Sequence, residues 1–213
     1  MTDRSEIKRK PDRGAYDPAT INAILDEALI CHVGFVAADG YPVVIPTIHA
    51  RSGATLYLHG SPASRMLRAI KNGSDVCVTV TIIDGLVLAR SVFNHSMNYR
   101  SVVLFGQPRE VTEPDEKMRA LETVTEHVAE GRWNDARQPS DVEFKGTTVL
   151  AMAIDEASAK IRSGPPGDDA DDYALPIWAG VIPVRTTFGE AQADPKLTDG
   201  IPTPGYLTGY TRP

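Results

Sequence analysis

Two serines and an arginine stand close together in the segment 61–67, SPASRML, and could bind an anion. An alternating run before it predicts a strand, and Ser61 followed by proline is typical of a helix N-cap, here of a helix ending at about Asn72. The first turn of a helix normally holds a carboxylate, because the helix dipole leaves partial positive charge there. This turn holds Ser64 and Arg65 instead, and hydroxyls, free N–H groups and a guanidinium are groups that bind phosphate. The alternative is an ordinary capped surface helix whose Arg65 pairs with a carboxylate elsewhere.

A histidine, His59, lies at the predicted strand end just before this turn. Its imidazole could be satisfied by a backbone carbonyl, or it could contact a cofactor or ligate a metal. The other histidines, at positions 32, 49, 95 and 127, are scattered, and no pair has the spacing of a helical metal site. We therefore expect no metal site and treat His59 as a candidate cofactor contact.

The remaining residues offer no constellation for difficult chemistry. The sequence has no Gly-x-Ser-x-Gly motif, and neither Cys31 nor Cys77 has a base beside it. The acidic run 168–172 has proline and glycine neighbours, which favour a solvated loop. Trp178 is either a core or interface aromatic or a ring that stacks near a ligand. We expect no catalytic side chain, so that in an enzyme a bound cofactor would carry the reactivity.

The composition excludes several classes of protein. The 213 residues carry 22 basic and 28 acidic side chains, a net charge of −6, which leaves no basic footprint for nucleic acid. Two cysteines without CxxC spacing fit a reducing compartment. No apolar run reaches the ~20 residues that a membrane-spanning helix needs. We expect a cytoplasmic protein with neither a nucleic-acid nor a membrane partner.

Most of the elements that must position these residues are strands. Three β-rich runs between residues 30 and 60 are separated by the turn signals Asp39-Gly40 and Ser52-Gly53. Pro42 and Pro46 predict that the second run is an edge, bent or bulged strand. The runs DVCVTVTII, YRSVVLFGQPREV and TTVLAMAID predict further strands, and SAKIRSG is interpreted as an extension of the last.

Helices are predicted to begin at Pro18 and Pro114, the second stopping at Gly131. Five to seven strands with hairpin spacing and three peripheral helices favour a mainly β protein, an antiparallel barrel with helices outside, and not βαβ units. We divide the chain into a flexible N-terminal lead at 1–16, a barrel domain at 17–163 and a C-terminal extension at 164–213.

The ordered set of motifs resembles a known superfamily. YPVVIPTIHARSGATLYLHGSPASRMLRAI, then DVCVTVTII, then YRSVVLFGQPREVTEPDEKMRALETVTEH is similar to the FMN-binding split barrels of the pyridoxamine 5′-phosphate oxidase type. Within that superfamily the chain looks most like the branch of the 5-nitroimidazole-resistance reductases. The similarity covers about residues 15–163, and WAGVIPV also resembles a late stretch of the oxidases.

The resemblance implies an antiparallel split barrel that forms a homodimer, with one FMN in each of two interface clefts. It implies that the FMN phosphate is the anion bound by Ser64 and Arg65. Lys160 and Arg162 could add positive charge across the dimer, or be exposed charges that protect an edge strand. The implied cofactor-binding residues are Ile45, Pro46, Thr47, His59, Gly60, Ser61, Ser64, Arg65, Tyr99, Arg100, Ser101, Val102, Lys160, Arg162 and Trp178.

The chain also departs from the oxidases. They follow their Ser-Arg pair with lysine, where this chain has Met66, and their basic C-terminal substrate signature is absent. We therefore expect an oxidoreductase that does not oxidise pyridoxamine phosphate. Its FMN would pass electrons from a reduced nicotinamide to a small acceptor, such as a nitro compound or a quinone, with Thr47 and Ser101 tuning the ring. The alternatives are a haem- or deazaflavin-binding split barrel and a non-enzymatic flavin-binding module.

Overall fold

The computed structural model describes residues 2–71 and 73–212, and within them ten strands form one antiparallel sheet. The strands are β1 (Gly14–Ala15), β2 (Ile30–Val36), β3 (Pro42–Ser52), β4 (Thr55–Gly60), β5 (Val76–Leu88), β6 (Ser96–Gly106), β7 (Arg109–Glu110), β8 (Thr148–Ala153), β9 (Ala157–Arg162) and β10 (Gly180–Pro183). The helices are α1 (Pro18–Glu27), α2 (Arg65–Lys71), α3 (Pro114–Val128), α4 (Arg132–Asp135) and α5 (Asp141–Lys145).

The strand order is β1-β9-β6-β5-β2-β3-β4-β8-β7, with β10 added to β5. Neighbouring strands run antiparallel throughout the described part of the chain. The predicted class, a mainly β antiparallel split barrel with peripheral helices, is therefore confirmed. The strands are more numerous than the five to seven expected, because two-residue strands join the sheet at both ends of its order and β9 is a strand separate from β8.

The main core lies between the barrel strands and the inner faces of α1 and α2. Helix α1 buries Ile21, Ile24 and Leu25 at the i, i+3, i+4 spacing that places side chains on one helix face. A smaller cluster lies where Ala120 of α3 packs on Val149 of β8. These apolar faces fix the helices against the sheet and leave their polar faces outside.

Strand β3 changes partner along its length. From Pro42 to Ile48 it pairs with β2, and from His49 to Ser52 it pairs with β4. In the described residues the first half of β3 pairs with β2 alone. Pro42 and Pro46 have no N–H group to donate, but there is no strand on the other side of this half with which they would have to pair. The edge predicted from Pro42 and Pro46 is confirmed for this half.

The start of α2 differs from the prediction. The helix begins at Arg65 and not at Pro62, and the predicted end at Asn72 lies outside the described residues. Ser61 does not cap the helix: its hydroxyl accepts a hydrogen bond from the Ala63 amide at 3.2 Å, and its carbonyl accepts one from the Ser64 amide at 2.9 Å. These bonds close a tight turn, which delays the helix by three residues.

The expected extension of strand TTVLAMAID is also wrong. A turn after Ala153 separates β8 from β9, and the two strands pair with opposite ends of the sheet order, β8 with β4 and β9 with β6. Helix α3 ends at Val128, and Gly131, which was expected to stop it, precedes α4 with a φ of 87°. Strand β5 continues well beyond the predicted run DVCVTVTII, and its pairing with β6 shifts register between Ile83 and Gly85.

The two terminal segments contact the barrel. Part of the expected flexible lead pairs with it, because β1 lies against β9 and Arg4 forms ion pairs with Glu156 and, at 3.5 Å, with Asp75. In the extension, β10 pairs with β5, and Arg212 reaches the ends of α1 and α3. The division of the chain at residues 16 and 163 stays a prediction.

Candidate functional site

The predicted anion-binding corner, residues 59–65, is the turn between β4 and α2. Gly60 ends β4 close to α2, where a Cβ would lie 3.2 Å from the Leu67 side chain. The carbonyl of Ser64 accepts the first helical hydrogen bond, from the Arg68 amide at 3.0 Å. Ser64 therefore stands at the helix boundary with Arg65 as the first helical residue, so the serine and the arginine are brought together as predicted.

Helix α2 has only seven described residues, so its macrodipole contributes little and the charge of the corner comes from its side chains. The inner face of the helix buries Met66, Leu67 and Ile70 in the main core. Met66, at the position where the resemblance implies lysine, is 4% exposed, and an ammonium there would be desolvated. The absence of a lysine at position 66 is thus explained by the side chain of this residue pointing into the core.

Arg65 is exposed and has no hydrogen-bond or ion-pair partner within residues 2–71 and 73–212. The alternative in which a carboxylate elsewhere pairs with Arg65 is therefore not realised in this structure. A free guanidinium beside the Ser64 hydroxyl is suited to a phosphate group, which takes charge-assisted hydrogen bonds from both.

His59 is the first residue of this corner, and one nitrogen of its ring is unused. Its Nδ1 atom is buried and has no hydrogen-bond partner in the described structure. Burial lowers the pKa of the imidazole, so the ring is neutral near pH 7. A neutral ring with a buried, unpaired nitrogen fits a ligand that supplies the missing partner.

The residues predicted from β3 lie where the barrel splits. The described ladder between β3 and β4 ends at the pair of His49 and Leu58, so Thr47 and Gly60 flank the point where the strands part. Thr47 is opposite Cys31 of β2 and half-buried, whereas Pro46 is exposed on the other face. Ile45 packs against the main core.

The residues predicted from β6 differ in how far they are free to bind a ligand. Ser101 is half-buried between Thr81 and Lys160, and its hydroxyl donates to the Lys160 carbonyl at 3.3 Å. Val102 is 1% exposed and its side chain belongs to the core. Tyr99 lies opposite Arg162 of β9 and is half-buried.

Arg100 is held by two carboxylates. Its guanidinium forms ion pairs with Glu27 at the end of α1 and, at 2.8 Å, with Asp84 in the irregular part of β5. Hydrogen bonds to Glu27 and then to Asp84 raise the pKa of Arg100 above its ordinary value. This side chain joins three elements, and its charge is already compensated.

The other predicted cations also have protein partners. Lys160 donates from Nζ to the Arg9 carbonyl at 2.8 Å. Arg162 donates to Asn98 and, at 3.2 Å, to the Pro165 carbonyl, which fixes the start of the extension. Trp178 is 67% exposed before β10, and a Cβ at Gly180 would lie 2.9 Å from its ring.

Sequence reasoning missed an apolar turn between β5 and β6. Val92 and Phe93 are each 89% exposed, on a turn closed by the Phe93 amide, which donates to the Ser91 hydroxyl at 3.3 Å. Asp168, expected in a solvated loop, has a buried carboxylate that accepts hydrogen bonds from the Arg90 amide and guanidinium at 2.9 and 3.0 Å. We call residues 90–95 the apolar turn. No signal in the sequence predicts that Asp168 binds Arg90 at the start of this turn.

Two concavities of the described chain lie away from the corner. One of about 420 Å³ is lined by Arg4, Asp75 and Glu156, and one of about 460 Å³ by Tyr16 and Arg51. No helix in the described residues is both long and apolar enough to span a bilayer.

The geometry and the comparisons define the class of protein together. The family model for pyridoxamine 5′-phosphate oxidase matches residues 17–161, and no curated protein matches the chain. The chain therefore belongs to the pyridoxamine 5′-phosphate oxidase family, in the split-barrel form.

Solved structures extend the likeness beyond the barrel. The chain is similar to the flavocytochrome Anf3 from Azotobacter vinelandii, with 39% identity over 97% of this chain and 95% of that one and a TM-score of 0.92. An FAD and haem binding protein from Mycobacterium smegmatis is 35% identical over 92% and 98%, with a TM-score of 0.88. A protein assigned to 5-nitroimidazole antibiotic resistance from Bacteroides thetaiotaomicron is 25% identical over 70% and 86%, with a TM-score of 0.59.

Proposed function

We propose that the chain binds a flavin and that the phosphate next to the ribityl arm is held by Ser64 and Arg65. The observation that carries this proposal is the free guanidinium of Arg65 beside Ser64, in a chain whose net charge is −6. The two structures that it matches over almost its whole length are described as a flavocytochrome and as an FAD and haem binding protein.

The residues around the corner suit such a cofactor. The unpaired Nδ1 of His59 could exchange a hydrogen bond with the ligand, and Thr47 lies at the parting of β3 and β4 with a hydroxyl for the ring edge. A bound flavin supplies one- and two-electron transfer. The chain binds it, orients it and sets its electrostatic surroundings, and no side chain has to act as an acid or base.

We propose an oxidoreductase activity in which a reduced nicotinamide is the electron donor and a small nitro compound or quinone is the acceptor. The support is the likeness to the 5-nitroimidazole resistance protein. Reduction of the bound flavin by NADH or NADPH under anaerobic conditions tests this, since it bleaches the visible flavin absorption. A flavin that neither nicotinamide reduces would identify the chain as a binding module without this activity.

We propose that the protein is a homodimer in the cytoplasm. The apolar turn presents Val92 and Phe93 to solvent, and Val44 of the β3 edge is 64% exposed. Apolar side chains presented in this way mark interaction surfaces.

The cysteines support the proposed location in the cytoplasm. Cys31 and Cys77 are free thiols, and burial raises the pKa of Cys31 to about 12, as expected for an unreactive core cysteine in a reducing compartment.

Haem binding is a second candidate. Of the two near-full-length neighbours, one is described as a flavocytochrome and the other as an FAD and haem binding protein. A haem iron takes a neutral imidazole nitrogen. His59 has an unpaired Nδ1, and His95 is exposed with its Nδ1 3.0 Å from the Ser91 carbonyl, which leaves its Nε2 free to ligate. A Soret band that His59→Ala or His95→Ala removes would assign the ligand. Deazaflavin binding is tested by titration in the same way.

The visible spectrum of the purified protein tests the flavin proposal. We expect flavin bands near stoichiometry, which the double variant Ser64→Ala/Arg65→Ala loses. Arg119→Ala, which removes an exposed arginine from α3, is the control and should keep the bands. A colourless protein that binds no added FMN or FAD would overturn the proposal.

A further inference from the structure

Residues 205–212 form a strap on the outside of the barrel, and an exposed stretch of chain separates the strap from β10. The strap begins with a single helical turn at Gly205–Leu207. Every residue from 185 to 203 is exposed and belongs to no helix or strand. The strap can therefore leave the barrel without breaking a strand pairing, and its own contacts decide whether it stays docked.

Side-chain hydrogen bonds dock the strap on the helices. The Tyr206 hydroxyl donates to the Asp135 carboxylate of α4 at 2.7 Å. At the end of the strap, the Arg212 guanidinium donates to the carbonyl of Asp26 at 2.7 Å and to that of His127. Arg212 therefore brings a cation to the ends of α1 and α3, where helix carbonyls need donors.

His127 of α3 is a titratable side chain that the strap covers. Its Nε2 atom donates to the Ala28 carbonyl at 3.0 Å. The Nη2 atom of Arg212 lies 3.3 Å from Nε2 and 3.4 Å from Nδ1 of the same ring, so the guanidinium lies against the face of the imidazole. A guanidinium stacks well on a neutral aromatic ring, whereas an imidazolium at this distance would repel it.

The carboxylates at the end of α1, next to this ring, are already paired. The Asp26 carboxylate receives hydrogen bonds from Nε and Nη2 of Arg51, a residue of β3. The Glu27 carboxylate is held by Arg100 of β6. A proton on His127 would therefore add a cation to a place where the negative charges have arginine partners.

Two further titratable groups lie near the ring. The imidazole of His49 in β3 has its centroid 5.3 Å from that of His127, and burial lowers the pKa of His49 to about 4, so His49 stays neutral above pH 5.5. Glu126 precedes His127 in α3, and its carboxylate accepts from the amides of Gly131 and Trp133 at 2.6 and 2.7 Å. Glu126 is thus bound to the start of α4.

We propose that protonation of His127 releases the strap, so that residues 205–212 are docked near neutral pH and detach in mild acid while the barrel stays folded. The inference does not depend on the proposed flavin site. Burial, and after it the charge of Arg212, lower the pKa of His127. The Ala28 carbonyl and Asp26 act in the opposite direction.

The sign of the pH dependence follows from these causes. Both of the influences that lower the pKa of His127 weaken when the strap leaves, so the released state binds the proton more tightly. Docking is at full strength above the ordinary imidazole pKa of about 6.5 and weakens as the pH falls below it.

Amide hydrogen exchange of the native chain, measured by mass spectrometry and expressed as protection factors, tests the inference. Between pH 7.5 and 5.5 we expect the protection of residues 205–212 to fall by about three- to tenfold, since a released imidazole with a pKa near 6.5 takes up one proton over this range. The protection of β5 should stay within about twofold, because the barrel keeps its strand pairing.

Two substitutions assign the proton to His127. His127→Gln can still donate an N–H group to the Ala28 carbonyl and carries no charge, so the strap should stay docked with a protection that no longer depends on pH. His32→Gln, at an exposed histidine of β2, is the matched control and should keep the native pH dependence. Arg212→Met should raise the pKa of His127, measured from the NMR shifts of the imidazole protons.

Three results would overturn the inference. The first is a strap whose protection in the native chain is the same at pH 7.5 and 5.5, and the second is a strap that loses protection together with β5. The third is a pH dependence in His127→Gln equal to that of the native chain. Circular dichroism checks that His127→Gln is folded. If it is not, an unchanged pKa of His127 in Arg212→Met would overturn the inference instead.

Discussion

The Nε2 atom of His49 lies 2.9 Å from the carbonyl oxygen of Leu25 in the last turn of α1. Because a carbonyl only accepts, Nε2 carries the proton. His127 of α3 donates in the same way to the Ala28 carbonyl at 3.0 Å. The last carbonyls of a helix have no partner within it, and here side chains from β3 and α3 supply the donors. The two rings lie 5.3 Å apart and link α1 to both elements.

Replacing His49 should destabilise the fold. His49 is 0% exposed, so His49→Leu leaves the Leu25 carbonyl buried without its donor. We expect the free energy of unfolding to fall by about 1–3 kcal/mol, the cost of one unsatisfied buried group. Urea unfolding followed by circular dichroism measures this. The control is His32→Ala, which truncates an exposed ring and should change the free energy of unfolding by less than about 0.5 kcal/mol.

His49 should also make the stability depend on pH. Burial lowers the pKa of His49 from 6.5 to about 4, so between these values the unfolded chain binds the proton more tightly. Stability is fully present above pH 6.5 and falls as the pH drops toward 4, by about 3 kcal/mol from this group. Urea unfolding on both sides of this range should show a smaller drop for His49→Leu. An equal drop in both proteins would contradict this assignment.

The C-terminal segment should depend on Arg212 for its docking. The guanidinium donates to the Asp26 carbonyl at 2.7 Å and to the His127 carbonyl, so one side chain caps α1 and α3. Arg212→Ala should expose residues 205–212 to hydrogen exchange and cost about 1–2 kcal/mol of stability. Arg185→Ala, which truncates an exposed arginine of the extension, is the control, whereas Arg212 is half-buried. Unchanged exchange in Arg212→Ala would show that the cap does not hold the segment.

Arg100 should matter for stability and not for flavin affinity. Arg100→Met leaves the carboxylates of Glu27 and Asp84 facing each other without a cation. We expect a loss of roughly 1–2 kcal/mol, modest because these side chains are about one third exposed. Flavin titration should give an unchanged Kd. A Kd raised tenfold with unchanged stability would instead place Arg100 on the cofactor.

The apolar turn should hold two copies of the chain together. Val92→Ser/Phe93→Ser removes two apolar side chains whose burial is worth roughly 1.5–3 kcal/mol each. Light scattering should show a dimer for the native chain and a monomer for the variant. Val142→Ser, at an 80% exposed valine on α5, should stay dimeric. A dimeric Val92→Ser/Phe93→Ser variant would place the interface elsewhere.

Local signals predicted the parts of the fold that depend on neighbouring residues. Asp17 caps α1 by accepting from the Thr20 amide at 2.8 Å, and Gly40 and Gly53 have the positive φ values, 84° and 57°, of the turns predicted there. The strand β9 was misassigned because periodicity identifies a strand and does not identify its partner. The start of α2 was misplaced because hydrogen bonds of Ser61 close a turn instead of capping the helix.

The part of the candidate site that could be predicted from the sequence is the part formed by residues adjacent in the chain. Ser64 and Arg65 lie together because they are adjacent in the chain. Arg100 was expected to face a cofactor, and its carboxylate partners Glu27 and Asp84 are 73 and 16 residues away. Contacts over such distances follow from the topology, which spacing along the chain does not contain.

A crystal structure of the protein grown with FAD tests the central claim most directly. The account predicts a flavin phosphate within hydrogen-bond distance of the Arg65 guanidinium and the Ser64 hydroxyl, at the turn between β4 and α2. A flavin whose phosphates lie away from this turn, or a turn that stays empty when FAD is in excess, would contradict it.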